Sequence, residues 1–192
     1  MPSISYLQWT TVRAAALDEI AQAHAAVGGT ARGRRYGTQQ INRAYAMLLA
    51  SQFQGFCRQL HSECVDQLAS CVAPVTLKPL LQGEFTWNRQ LDRGNAQPGS
   101  LGADFGRLSI NLWEALRVHD PASAGWQADL DLLNEWRNAI AHQDFTSPRL
   151  RGIMNLRLAQ VRQWRDSCER LAEAMDEVMR RHLHTLTATS PW

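Results

Sequence analysis

Apolar residues recur along this chain at three- and four-residue steps, the period of a helix packed on one side. The longest such stripe is Ile41, Tyr45, Leu48, Leu49, Phe53, Phe56, Leu60, Cys64, Leu68 and Cys71, which predicts a helix from about Thr38 to Cys71. Thr38 is an N-cap residue type, Pro74 ends the segment and Gly55 is a position for a bend. Before it, Leu7, Val12, Ala16, Ile20 and Ala23 predict a helix from about Leu7 to Val27, stopped by Gly28-Gly29. A third helix is expected over Arg107–Val118, broken by Asp120-Pro121. A fourth runs from Ala122 or Gly125 to His142 or Phe145, and a fifth from Leu150 or Asn155 to Thr185. The inner face of the fifth is Leu156, Val161, Trp164, Cys168, Leu171, Met175, Val178 and Leu183.

Residues 72–106 break this regularity with Pro74, Pro79, Gly83, Gly94, Pro98, Gly99 and Gly102, and read as an irregular insertion with one or two short helices. No repeat and no strand–helix alternation occurs, so the fold expected is an all-α bundle of about five main helices in one domain, 1–192. Composition agrees: 25 Ala and 23 Leu stand against 8 Val and 6 Ile, a balance that favours helix over sheet. The longest apolar run, Ala44–Ala50, is far short of the ~20 residues that span a bilayer. No signal segment is recognised, so a cytoplasmic location without membrane contact is expected. Four cysteines do not make a disulfide scaffold, and a net charge of +2 marks neither an acidic tail nor a strongly basic nucleic-acid binder. All but one of the 20 basic residues are Arg. That fits a GC-rich genome, and it also fits phosphate contact by planar guanidinium groups.

The candidate chemistry lies in Leu132-Leu-Asn-Glu-Trp-Arg-Asn-Ala-Ile-Ala-His-Gln-Asp-Phe145. Projected at 100° per residue from Arg137, Leu132, Leu133, Trp136, Ala139 and Ile140 fall between about 200° and 320°, the expected core face. Asp131, Asn134, Glu135, Arg137, Asn138 and His142 fall between about 0° and 160°, expected to point away from it. Asn138 and His142 are neighbours one turn apart, whereas Arg137 lies about 140° from His142. Two copies of the helix facing each other across a two-fold axis would bring both Arg and both His residues together.

Arg137-Asn138-x-x-x-His142 resembles the Arg, polar residue, spacer, His signature of the HEPN superfamily, the higher eukaryote and prokaryote nucleotide-binding domains. The order of parts is also similar over about residues 5–186, and "RNAIAHQDF" looks most like the RiboL-PSP type. The resemblance implies a helical homodimer. It also implies a metal-independent endoribonuclease with a composite site at the dimer interface, acting as a toxin or a defence or stress effector, in some cases held by an antitoxin. The alternative within the family is a non-catalytic RNA- or nucleotide-binding regulatory domain. The residue types suit the chemistry: imidazole serves as acid and base for ribose 2′-OH attack, and Arg stabilises charge on the phosphoryl oxygens. His142 is then the expected acid/base, Arg137 the phosphate stabiliser and Asn138 the orienting group, with no cofactor. Where antitoxin-modified relatives carry Tyr two residues after the His, this chain has Asp144.

Other basic residues extend the expected RNA contact. Arg32, Arg34 and Arg35 form a loop cluster that either grips a phosphate backbone or is simply solvated, and Arg149 and Arg151 just follow the motif helix. Cys57, His61 and Cys64 share a helix face, but on the apolar stripe, where core packing is the expected role. Cys71 reads as a further core filler, and His182 and His184 as a frayed helix end. Trp136 faces the core in the projection and is not a stacking platform.

Overall fold

The computed structural model describes residues 1–28, 36–71 and 75–192. Its helices are α1 (Ile4–Gln8), α2 (Ala14–Gly28), α3 (Tyr36–Ser70), α4 (Lys78–Thr86), α5 (Pro98–Gly106), α6 (Leu112–His119), α7 (Ser123–His142) and α8 (Leu158–Thr187). The architecture is an all-α bundle, with no strand among the described residues. No helix there is long and apolar enough to cross a membrane. Arg32, Arg34 and Arg35 lie outside the described residues.

The two long helices α3 and α8 pack on each other and on α7, and α2 lies along α3. Their inward stripes form one core cluster that includes Tyr45, Leu49, Phe53, Phe56, Trp164, Leu171 and Met175. Cys57, Cys64 and Cys168 are buried within it, while Cys71 is exposed. The apolar stripe of α3 therefore ends one turn earlier than its spacing predicts.

The N-terminal helix also departs from its predicted face. Leu7 and Val12 are exposed, and Ser5, Trp9 and Leu17 are buried instead. Between α1 and α2, Trp9–Arg13 form a π-helical turn. The hydroxyls of Thr10 and Thr11 donate to the Leu7 carbonyl at 3.1 and 2.6 Å, competing with the backbone ladder and widening the turn. The wide turn shifts the inward face by one position, which a strict helical period does not anticipate.

Gly55 does not break α3. A Cβ there would sit 2.5 Å from the Arg13 guanidinium, so the glycine makes room for a side chain that donates to Gln52 at 2.9 Å. The segment expected to be an irregular insertion is more ordered than its glycines suggest and holds α4 and α5, while the predicted third helix is α6 alone, starting at Leu112 instead of Arg107. Pro98 suits the first turn of α5, and the Trp113 indole donates to its carbonyl at 2.8 Å. Asn111 then caps α6 through the Glu114 N–H. At the far end α8 runs on to Thr187, and His182 is half-buried against the Leu108 carbonyl at 2.7 Å.

Candidate functional site

The site begins with a strap, residues 87–97, laid across α3, α5 and α7. Arg89 anchors it and is almost fully buried. Its guanidinium donates to the Arg58 carbonyl at 3.1 Å, to Ser62 Oγ at 3.0 Å and to both oxygens of Asp92. It also meets His61 Nδ1 at 3.3 Å, while His61 Nε2 lies 3.1 Å from the Asp104 carbonyl. Arginine can only donate and a carbonyl can only accept, so the neutral His61 carries its proton on Nε2. Burial, with Arg89 beside it, lowers the His61 pKa to about 4. Both ring nitrogens are occupied, so His61 is not free to ligate a metal with Cys57 and Cys64. Among the described residues no group of three His, Cys, Asp or Glu side chains is placed to hold a metal ion.

Three further contacts fix the strap. The buried Asp104 carboxylate accepts the N–H groups of Gln90 and Leu91 at 2.9 and 2.8 Å. Gln54 donates to the carbonyls of Leu91 and Gly94 at 2.9 and 2.6 Å. On α7, Asn134 donates to the Ala96 carbonyl at 3.0 Å, and Asn95 donates to Asn138 Oδ1 at 2.7 Å.

The strap changes which face of α7 is covered. Asn134, expected on the solvent side, is buried, as is Leu130. On the same projection they stand at about 60° and 20°, on the side of Arg137 away from the expected core face. Arg137 is therefore half-buried within the covered arc, flanked by Leu130, Leu133 and Asn134, and does not point away from the core. Trp136 is buried as expected, against Trp164 and Phe145.

Arg137 and Asn138 line a polar cleft of about 420 Å³ with Gln54, Arg93, Asn95 and Ser100. The Arg137 guanidinium donates to Asn138 Oδ1 at 3.3 Å and forms no ion pair among the described residues. The one carboxylate lining the cleft, Asp92, is held by Arg89 at 2.8 Å. Arg137 and Arg93 thus have no carboxylate partner within the cleft. Arg93, Gln54 and Asn95 were not foreseen, because only their placement by the strap brings them to α7.

His142 does not line this cleft. It is the last residue of α7, exposed, ahead of Gln143 in the left-handed conformation. Asp144 follows; its carboxylate, bonded to Thr146 and near His142, titrates below the usual range. Five residues separate His142 from Arg137, about 7.5 Å of rise and 140° of rotation, so one copy does not bring the pair together.

Arg149 and Arg151 belong to neither position. They line a second cavity, behind α7, floored by Leu132 and Trp136. Arg149 pairs there with Asp131. Comparisons with protein-family models, curated protein sequences and solved structures find no match.

Proposed function

We propose that the protein is a metal-independent endoribonuclease of HEPN type, cutting RNA at a composite site built by two copies of the chain. The observation that carries the reading is the cleft around Arg137 and Asn138, where a half-buried guanidinium has no carboxylate partner and the lining carboxylate, Asp92, is taken by Arg89. Such a cleft suits a phosphodiester, because each anionic oxygen exchanges water for charge-assisted hydrogen bonds. His142 is exposed one turn beyond, at the C-terminal end of α7. A two-fold pairing of α7 ends would set the His142 side chains of the two copies on either side of the phosphate.

In this mechanism one His142 takes the proton of the ribose 2′-OH, whose oxygen attacks phosphorus. The other His142 gives a proton to the departing 5′-oxygen, leaving a 2′,3′-cyclic phosphate. Arg137 stabilises the charge gathered on the non-bridging oxygens. Asn138, held by Asn95, keeps Arg137 in place. A role as a toxin or a defence effector, held in check by a partner protein, belongs to the same proposal.

The test is cleavage of mixed tRNA, mRNA and rRNA in excess EDTA by wild type, His142→Ala and Arg137→Ala. Wild-type cleavage lost in both variants is the expected result. Cleavage that survives in the variants overturns the assignment. A second reading, a non-catalytic RNA-binding domain, draws on the placement of His142 outside the cleft and on Asn138 being engaged by Asn95. RNA bound by all three proteins but cut by none would favour it.

A further inference from the structure

The cavity behind α7 has a volume of about 830 Å³ and lies between α7, the segment leading out of it and the start of α8. Its floor is Leu132, Trp136 and Leu156, and one wall is Ile153 and Met154, which are 53% and 57% exposed. Arg149, Arg151 and Arg157 stand around it, and no Asp or Glu lines it. Arg151 and Arg157 form no hydrogen bond or ion pair through their side chains among the described residues. The nearby carboxylate Asp131 is occupied by Arg149.

The backbone is folded to hold this arrangement open. Arg151 and Gly152 are consecutive left-handed residues, which turn the segment back sharply. Asn42 and Arg43 of α3 then hold the Leu156 and Met154 carbonyls at 2.8 and 3.1 Å, leaving the side chains of this stretch to face the cavity. The first turn of α8 has no acidic residue and no side-chain cap, adding a positive end to the three guanidinium groups.

We propose that this cavity binds a nucleotide, its base against the apolar floor and wall and its phosphate on Arg151 and Arg157. A cavity of this size, with an apolar floor and wall and two unpaired arginines, Arg151 and Arg157, on its rim, fits a ligand that is flat and apolar at one end and anionic at the other. The nucleotide comes either from an RNA strand or from a free mononucleotide. The inference does not depend on cleavage, because the cavity lies on the opposite side of α7 from the Arg137 cleft.

Binding is measured with the His142→Ala protein, so that RNA stays intact. The probes are fluorescein-labelled eight-residue oligouridylate and oligoadenylate, the monophosphates AMP, GMP and UMP, and ribose 5-phosphate. Replacing Arg151 and Arg157 together by Gln is expected to weaken the best-binding probe about tenfold or more, at an unchanged thermal midpoint. With an oligonucleotide, the slope of log K against log salt should fall by about 1.4, the share of two phosphate contacts. Met154→Asp, at an exposed wall position, should weaken the same probe without touching the arginines. Tight binding of the monophosphates assigns the site to a free nucleotide; binding of the oligonucleotides alone assigns it to an RNA strand. Either supports the proposal. Binding unchanged in the variants, equal affinity for ribose 5-phosphate, or no binding of any probe overturns it. The ribonuclease reading fails separately, if the wild type cuts no RNA in EDTA.

Discussion

His61 shows how one residue reports on the site's foundation. In the folded chain its pKa lies near 4, because burial and the adjacent Arg89 both disfavour the imidazolium form. In the unfolded chain it returns to about 6.5. The unfolded state therefore binds the extra proton between these values, and folding loses stability as pH falls from 6.5 towards 4. At about 1.4 kcal/mol per unit, the loss is on the order of 3 kcal/mol. Urea unfolding at pH 7 and pH 4.5 should show a smaller drop for His61→Asn than for the wild type. An equal drop would mean that His61 is not the group whose titration sets this pH dependence. None of this was legible in the sequence beyond the burial of His61, since its partners Arg89 and Asp104 are 28 and 43 residues away. Arg137 departs from its expected exposed face for a related reason: a polar stretch of helix reads as exposed until another segment is known to cover it.

At the scale of elements, the strap is what makes α7 a site, and Asp104 secures it. Removing that carboxylate in Asp104→Ala leaves the N–H groups of Gln90 and Leu91 without acceptors. A buried donor left unsatisfied costs about 1–3 kcal/mol; the Leu91 N–H is buried and the Gln90 N–H only partly so, and a loss of about 2–4 kcal/mol is expected. Hydrogen exchange should speed up in residues 89–97 before it does in α3. Uniform acceleration would show that the strap is not held separately. The long helices were legible because their apolar period is sustained: α3, α7 and α8 begin and end within a few residues of the pattern. The strap and α5 were not. Their order comes from side chains distant in sequence, Gln54, Asn134 and Asp104, that bond the strap. The π turn at Trp9–Arg13 falls in the same class, since two threonine hydroxyls set it.

Across the whole molecule, a net charge of +2 conceals an uneven distribution. Asp166, Glu169, Glu173, Asp176 and Glu177 outnumber Arg170 and Arg180 along the groove between the N-terminal helices and α8. Unpaired arginines gather instead around the two cavities flanking α7. Under the ribonuclease proposal, an RNA strand would approach the second region, and a two-fold contact that completes the site would lie near the exposed end of α7. This arrangement makes a quantitative prediction about subunits. If each site needs His142 from both copies, a mixed dimer of wild type and His142→Ala is inactive. After exchange of subunits in an equal mixture, only about a quarter of dimers carry two wild-type chains. Cleavage per total protein should then fall to about a quarter of the wild-type value, whereas self-contained sites would leave about half. The mixture is assayed in EDTA across a series of ratios. A parabola in the wild-type fraction supports the composite site, and a straight line rejects it.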